Sequence, residues 1–245
     1  MRVGVTDYVI EYSDTVPRQS AKFNSSEYLF NFLPVDMVTT LASLSYKYPE
    51  IKQPVLDTLS SFQILSKLWA ASVMSKVFVK GSQSRPFVHF GSWFGQLNCI
   101  MARQIPEYLY SKIVLIDKDP LACLVAKEVI KNDYFFNDSE SLITVVTGDA
   151  LDFNLKDFAD TLQQKPVVLW TGVEHFKYND VADYIDRYAD VGATYLLQGT
   201  DMPAEDHVCP IISCNQLEQY FDGTPLYSAS LKADVGTRFQ IVFDT

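Results

Sequence analysis

The chain has 245 residues, of which 48% are hydrophobic and 20% charged, and its 30 acidic and 20 basic residues give a formal net charge of −10. This composition is typical of a globular protein and excludes a long disordered chain. The acidic balance disfavours nucleic acid as a substrate, because a phosphate-binding surface needs clustered lysine and arginine.

Residues 1–80 form the first predicted region, an α-helical N-terminal extension that covers the main domain. A partial helix is possible over residues 6–12, and a polar cap favours a helix over residues 27–32. Apolar residues recur at helical spacing over residues 37–48 and 55–76, so two further helices are predicted there. The extension is either a cover for the core, a lid or wall over a ligand site, or a surface that binds a protein partner.

Strands and helices alternate from residue 85 onwards, which is typical of a doubly wound parallel sheet. The predicted strands are 87–90, 113–116, 142–146, 167–170 and 194–197. The predicted helices are 96–104, 121–132, 179–190 and 215–221. Two final strand-like runs, 226–231 and 238–243, are joined so closely that only an antiparallel pair is possible. Residues 81–245 are therefore predicted to be an α/β domain closed by an antiparallel hairpin.

The loop Gly91-Ser92-Trp93-Phe94-Gly95 connects the first predicted strand of this domain to its helix. Gly91 permits a tight bend, and Gly95 lets the helix begin close to a ligand or a strand. Ligands of open α/β sheets bind at this end of the strands, where the free N–H groups of a helix start can hold an anion. The loop matches neither the dinucleotide fingerprint nor a P-loop, which favours an adenosine compound without pyrophosphate. The alternative is an ordinary turn without a ligand.

Two further acids stand at the ends of predicted strands. Asp117 follows the second strand, about twenty residues after Gly95, which is the spacing of a carboxylate that binds ribose hydroxyls. Asp119 is the alternative, although Pro120 makes it a plausible helix cap. Asp149 follows the third strand in a Gly-Asp pair that is also common in turns. Acids and glycines at three successive strand ends favour a nucleoside-like ligand.

At these residues the chain resembles a class I S-adenosylmethionine-dependent methyltransferase. The first motif of that family is an acid followed by x-Gly-x-Gly-x-Gly, and here it reads His89-Phe90-Gly91-Ser92-Trp93-Phe94-Gly95. The outer glycines match, whereas His89 replaces the acid and Trp93 the middle glycine. The resemblance implies a Rossmann-like fold and S-adenosylmethionine as cofactor, with ribose held by Asp117 and adenine by Asp149. The implied cofactor-binding residues are Gly91, Ser92, Trp93, Gly95, Asp117 and Asp149.

Glu174 and His175 follow the fourth predicted strand, where the family places residues that face the methyl group and its acceptor. Either side chain could act as a general base, although alignment alone can carry much of a methyl transfer. The chain lacks the Asp/Asn/Ser-Pro-Pro-aromatic sequence of enzymes that methylate amino groups of DNA bases. The resemblance therefore implies a small-molecule or peptide-like acceptor.

The loop after the fifth predicted strand is rich in possible metal ligands. A divalent ion could bind there together with Glu174 or His175, and zinc could bind to His207 with Cys209 and Cys214. Loops dense in acidic residues and proline are more often simply solvated, so no metal site is predicted. The remaining acids of this loop are Asp201, Glu205 and Asp206.

The sequence contains no apolar run of about 18 residues, the length that a membrane helix needs, and no signal-peptide start. Its four cysteines form no Cys-x-x-Cys pair, and Cys99 and Cys123 fall in predicted helices, where buried thiols are common. We therefore expect a soluble, cytoplasmic protein that does not bind membranes. The alternative to an enzyme is an inactive methyltransferase-fold protein that serves as a structural component of a protein assembly.

Overall fold

The computed structural model describes residues 7–12, 21–24, 33–79, 85–105, 108, 111–136, 142–233 and 235–245. Within these residues the chain forms nine strands and eight α-helices. They divide into two compact units, each made of several chain segments. The first unit comprises Met1–Asn24, Pro86–Gly91 and Ala150–Thr245, and the second comprises Ser25–Arg85 and Ser92–Asp149.

Seven strands of the first unit lie side by side in the order β2-β1-β8-β9-β7-β6-β3. β6 pairs in parallel with β3 and β7, whereas the pairs β7–β9, β9–β8, β8–β1 and β1–β2 are antiparallel. All residues of β3 and β7 are buried. The strand bounds are β1 Asp7–Tyr12, β2 Ala21–Asn24, β3 Phe87–Phe90, β6 Val167–Thr171, β7 Thr194–Thr200, β8 Tyr227–Ala233 and β9 Gly236–Asp244. The helices of this unit are α6 Leu155–Leu162, α7 Tyr178–Arg187 and α8 Cys214–Glu218.

The second unit combines a parallel strand pair with five helices. β4 (Ile113–Asp117) is buried along its whole length, whereas β5 (Ile143–Thr147) is largely exposed. The two strands pair from Ile113↔Ile143 to Asp117↔Thr147. The helices are α1 Val35–Lys47, α2 Lys52–Thr58, α3 Ser61–Val79, α4 Gln96–Gln104 and α5 Pro120–Asn132. α3 packs against α4, and α1 packs against α5.

The N-terminal region differs from the helical extension that the sequence predicts. Residues 7–12 form the strand β1 and not a partial helix, because this β-branched and aromatic segment pairs with β8 and β2. The helix predicted over residues 55–76 is interrupted between α2 and α3. There the Thr58 hydroxyl bonds to Gln96 Oε1 at 2.6 Å, and Lys67 Nζ donates to Thr58 Oγ1 at 3.0 Å. The helix predicted over residues 27–32 lies outside the described residues.

Most other elements lie within a few residues of their predicted bounds, including β3 and α4, whose bounds agree fully. α6 is an additional helix that was not predicted from the sequence. It begins at Asn154, whose side chain accepts a hydrogen bond from Asp157 N at 3.1 Å and so caps the helix. In the described parts of the chain, no helix combines the length and apolar character needed to cross a bilayer.

Candidate functional site

The loop between β3 and α4 bends through left-handed backbone conformations. In the second unit, Trp93 has a φ of +49° and Gly95 a φ of +71°. This region is uncommon for residues other than glycine, so Trp93 keeps the conformation that the middle glycine of the motif would adopt freely. Its ring stacks on Phe94, with ring centroids 4.6 Å apart, and remains 37% exposed. The indole is therefore not buried in the interior of this unit.

Asp117 ends β4 and is tied to the glycine loop through its carboxylate. Its Oδ2 accepts a hydrogen bond from Trp93 N at 2.8 Å, and its Oδ1 accepts one from Asp119 N at 3.0 Å. The residue is 9% exposed. A carboxylate has about four lone-pair sites, so each oxygen can accept one further hydrogen bond. Asp117 can thus hold the loop and still bind a hydroxyl group.

Asp119, the alternative to Asp117 as the ribose-binding residue, instead caps a helix. Its Oδ1 accepts hydrogen bonds from Leu121 N at 2.8 Å and Ala122 N at 3.3 Å, and Pro120 is the first residue of α5. These bonds satisfy free N–H groups at the helix start. The prediction that Asp119 caps this helix is confirmed.

Asp149 lies at the same end of the β4–β5 pair as Asp117. The ladder places Asp117 opposite Thr147, and Gly148 N donates to the Asp117 carbonyl oxygen at 2.9 Å. The Asp149 side chain is exposed. The second unit thus brings Ser92, Trp93, Gly95, Asp117 and Asp149 to one strand end.

Gly91 belongs to the first unit, where it packs closely against the end of β6. A Cβ atom at this position would lie 2.3 Å from the Thr171 carbonyl oxygen, so the approach requires glycine. The Thr171 hydroxyl donates to the Gly91 carbonyl oxygen at 2.7 Å and lies 3.1 Å from His89 Nε2. Because that hydroxyl has one proton, we assign the proton of the second contact to His89 Nε2. His89, at the motif's acidic position, therefore supports the strand ends of β3 and β6.

Glu174 lies in a short 3-10 helix after β6 and is 2% exposed. Its Oε1 is 3.4 Å from Arg238 Nη1 and 3.8 Å from His207 Nε2. Its Oε2 is also buried and has no hydrogen-bond partner among the described residues. Burial lowers the pKa of Arg238, while Glu174 and then Asp201 act in the opposite direction. Glu174 is thus the centre of a buried group of charged and imidazole side chains.

His175 forms the outer side of this group. Its Nδ1 lies 3.2 Å from Asp206 Oδ2, and its ring meets that of His207 edge to face at a centroid distance of 4.9 Å. The loop that contains His207 is held in position by Val208 N and Cys209 N, which donate to the Glu174 carbonyl oxygen at 2.8 and 2.9 Å. One ligand atom from each of Glu174, His175 and His207 lies within 4.8 Å of the others.

Arg238 is the member of this group that was not predicted from the sequence. It lies on β9 opposite Thr200, so only the register of the antiparallel β7–β9 pair brings it to Glu174. The sequence does predict the hairpin, but it contains no signal for that register. The sequence suggests His207 as a zinc ligand together with Cys209 and Cys214, and it places Asp206 in the same polar loop.

Comparison with solved structures relates the fold to that of methyltransferases. The magnesium protoporphyrin IX methyltransferase of Synechocystis PCC 6803, with bound SAH, matches with a TM-score of 0.55 at 10% identity, over 84% of this chain and 99% of that one. The chain has the methyltransferase fold. A SAM-dependent methyltransferase from Agrobacterium tumefaciens matches with a TM-score of 0.50 at 10% identity, over 73% of this chain and 61% of that one. The predicted Rossmann-like fold class is therefore confirmed.

An uncharacterised protein from Listeria monocytogenes serotype 4b also matches, at 14% identity with a TM-score of 0.46, over 70% of this chain and 66% of that one. No family model and no curated protein matches the sequence. The methyltransferase fold is thus established from structure alone, and the roles of the individual site residues remain predictions.

Proposed function

We propose that the protein is a methyltransferase that uses S-adenosylmethionine and acts on a small-molecule or peptide-like acceptor. The proposal is supported by the methyltransferase fold and by the net charge of −10, which disfavours nucleic acid as the acceptor. The Synechocystis neighbour is a magnesium protoporphyrin IX methyltransferase, which gives a precedent for a small-molecule acceptor on this fold.

The observation that carries the proposal is the contact between Asp117 and the glycine loop. Asp117 Oδ2 bonds to Trp93 N at 2.8 Å, and both carboxylate oxygens retain capacity for a ribose hydroxyl. Asp149, at the neighbouring strand end, would accept a hydrogen bond from the adenine amino group. The residues of the loop that would contact the methionine part are Gly91, Ser92, Trp93 and Gly95.

Glu174 and His175 would face the acceptor. When bound, the cofactor supplies a methyl group on an electrophilic sulfonium, and the protein's contribution is to align the acceptor with it. His175 is the better placed proton acceptor, because its Nδ1 is oriented by Asp206 while Glu174 Oε1 is engaged with Arg238.

Isothermal titration of the folded protein with S-adenosylmethionine tests this proposal. We expect saturable binding of S-adenosylmethionine. Asp117→Asn should weaken this binding roughly 10- to 100-fold, because a charge-assisted hydrogen bond is lost. Asp119→Asn is the matched control, because asparagine caps helices as well as aspartate and should leave binding unchanged. A folded wild-type protein that gives no heat at millimolar cofactor would refute the proposal.

A scaffold function is the second candidate, and two observations favour it. Trp93 occupies the position of a glycine, and backbone N–H groups already engage both oxygens of Asp117. A protein of this kind would remain folded, bind no S-adenosylmethionine and be recovered in a stable complex with a protein partner. The same titration therefore separates the two candidates.

A further inference from the structure

The residues that follow β6 and β7 form a cluster that the methyl-transfer proposal does not fully use. Glu174, His175 and His207 each present a ligand atom within 4.8 Å of the other two. Bonds of about 2.0–2.2 Å to one ion would hold such atoms roughly 3–3.5 Å apart, so the separations of up to 4.8 Å would have to shorten by up to roughly 1–2 Å. We propose that these three residues bind a divalent transition-metal ion of the zinc, iron or manganese class.

Buried atoms without partners are the independent argument for a ligand. Glu174 Oε2 and His207 Nδ1 are both buried, and neither has a hydrogen-bond partner among the described residues. A buried polar atom without a partner destabilises the folded protein, and the cost is larger when the atom carries charge. Two such atoms on two of the three proposed ligands point to a cation that satisfies at least one of them.

The contact between His175 and Asp206 is typical of a metal ligand and its supporting carboxylate. Asp206 Oδ2 lies 3.2 Å and the Asp206 carbonyl oxygen 3.3 Å from His175 Nδ1, so Asp206 fixes Nδ1 as the protonated nitrogen. The lone pair of Nε2 is then available to the ion, and in the metal-bound form His175 is a ligand and not a proton acceptor. His207 is held in place because the following residues, Val208 and Cys209, donate their N–H groups to the Glu174 carbonyl oxygen.

The charge of the surroundings also suits a cation. Glu174, Asp201 and Asp206 are negative, and Arg238 is the positive residue among them. Two negative charges therefore remain when both imidazoles are neutral, which matches a divalent ion. Two imidazoles and one carboxylate are ligands that suit zinc and iron. Arg238 contacts Glu174 Oε1 at 3.4 Å, and Oε2 has no hydrogen-bond partner among the described residues.

The experiment measures metal binding by the chelator-treated full chain without S-adenosylmethionine, so its outcome does not depend on the proposed methyltransferase activity. Titration with Zn²⁺, followed by calorimetry, and with Co²⁺, followed by its visible spectrum, is expected to give one saturable site. His207→Gln and Glu174→Gln are expected to weaken binding at least about tenfold, and Asp206→Asn about tenfold through loss of the supporting carboxylate.

Cys209→Ser is the matched control, because Cys209 lies two residues from His207 and is not one of the proposed ligands. It should bind Zn²⁺ as the wild type does, and urea titration checks that every variant is folded. Equal affinity of wild type and a folded His207→Gln protein would overturn the proposal. Loss of binding in Cys209→Ser, or no binding by folded wild type at millimolar metal, would overturn this ligand set equally.

Discussion

The loop from Gly91 to Gly95 contains three residues with left-handed backbone conformations, and each reaches this conformation for a different reason. Gly91 lies too close to the Thr171 carbonyl oxygen for any Cβ atom. Gly95 has ordinary space around it and needs glycine only for its φ of +71°. Trp93 adopts its φ of +49° as a non-glycine residue, and its N–H bond to Asp117 offsets part of the strain.

A series of glycine substitutions separates these reasons. Gly95→Ala should lower the free energy of unfolding by about 1–2 kcal/mol, the cost of the left-handed backbone alone. Gly91→Ala should cost roughly 3 kcal/mol or more, because steric overlap with Thr171 is added. Gly148→Ala is the control, since its Cβ atom would meet only Val146 Cγ1 at 4.0 Å. Urea denaturation measures all three, and equal values for Gly91→Ala and Gly148→Ala would contradict the account.

The sequence predicts the structural positions of some of these residues and not the contacts of others, for a physical reason. Asp117 and Asp119 can be assigned because their local neighbours, a buried strand and a proline, determine strand end and helix cap. The contact between Asp117 and Trp93 depends on how a loop folds back, and the contact between Glu174 and Arg238 depends on strand register. Neither has a signal in local sequence pattern.

At the scale of elements, a buried ion pair joins α4 to the end of α5. Arg103 Nη1 lies 2.7 Å from Asp133 Oδ2 and also donates to the Cys99 carbonyl oxygen at 2.9 Å. Asp133 is 0% exposed, and the guanidinium lies over the Phe135 ring at 4.8 Å. Removal of the arginine would leave a buried carboxylate without its cation.

Arg103→Met should therefore lower the free energy of unfolding by about 3–5 kcal/mol. The double variant with Asp133→Asn should recover part of this loss, because the buried charge is removed too. The exposed pair Lys156–Asp190 is the matched control, and Lys156→Met should leave the urea midpoint unchanged. If Arg103→Met and Lys156→Met had the same free energy of unfolding, the Arg103–Asp133 ion pair would not stabilise the contact between α4 and α5.

β1 covers the edge of β8, and its removal should change how the protein associates. Val9 to Tyr12 pair with Lys232 to Ala229, so a chain without residues 1–24 exposes unpaired N–H and C=O groups along β8. We expect this truncated protein to self-associate as its concentration rises, measured by size-exclusion chromatography with light scattering. The full chain at matched concentration is the control. A truncated protein that stays monomeric throughout would contradict the expectation.

The elements β1 and α6 are not predicted from the sequence. β1 pairs with β2, which follows it closely in the chain, and with the distant β8, and its β-branched and aromatic residues suit both pairings. α6 is a short helix that begins at the Asn154 cap. Strongly periodic or β-branched segments such as α5 and β4 are predicted to within a residue, because their pattern and their environment agree.

At the scale of the whole molecule, buried tyrosines link stability to alkaline pH. Burial is the largest cause that raises the pKa of Tyr108, Tyr184, Tyr195 and Tyr220 above the ordinary value of 10.0. In the unfolded chain these phenols ionise near that value, whereas in the folded chain they stay protonated. The unfolded state therefore releases these protons first, so the contribution of the four phenols to stability is constant well below pH 10 and falls as the pH rises above it.

Each such tyrosine lowers stability by up to about 1.4 kcal/mol per pH unit above its unfolded pKa. Tyr195→Phe should reduce the stability lost at alkaline pH by the amount that one buried tyrosine contributes. The Tyr195 hydroxyl is buried and has no hydrogen-bond partner among the described residues, so the substitution removes no hydrogen bond. Urea midpoints at neutral and alkaline pH measure the effect, with the exposed Tyr46→Phe as control. An alkaline loss in Tyr195→Phe as steep as in wild type would contradict this account.

The pairing of Val9 with Lys232 also has a consequence for the order of folding during translation. Ribosomes add about 5–20 residues per second, so β1 emerges on the order of ten seconds or more before the strand that completes its ladder. Throughout that interval β1 cannot reach its final partner, and a contact of such long sequence separation forms slowly even afterwards. We therefore expect a chaperone that binds nascent β1 to protect this strand until β8 has been synthesised.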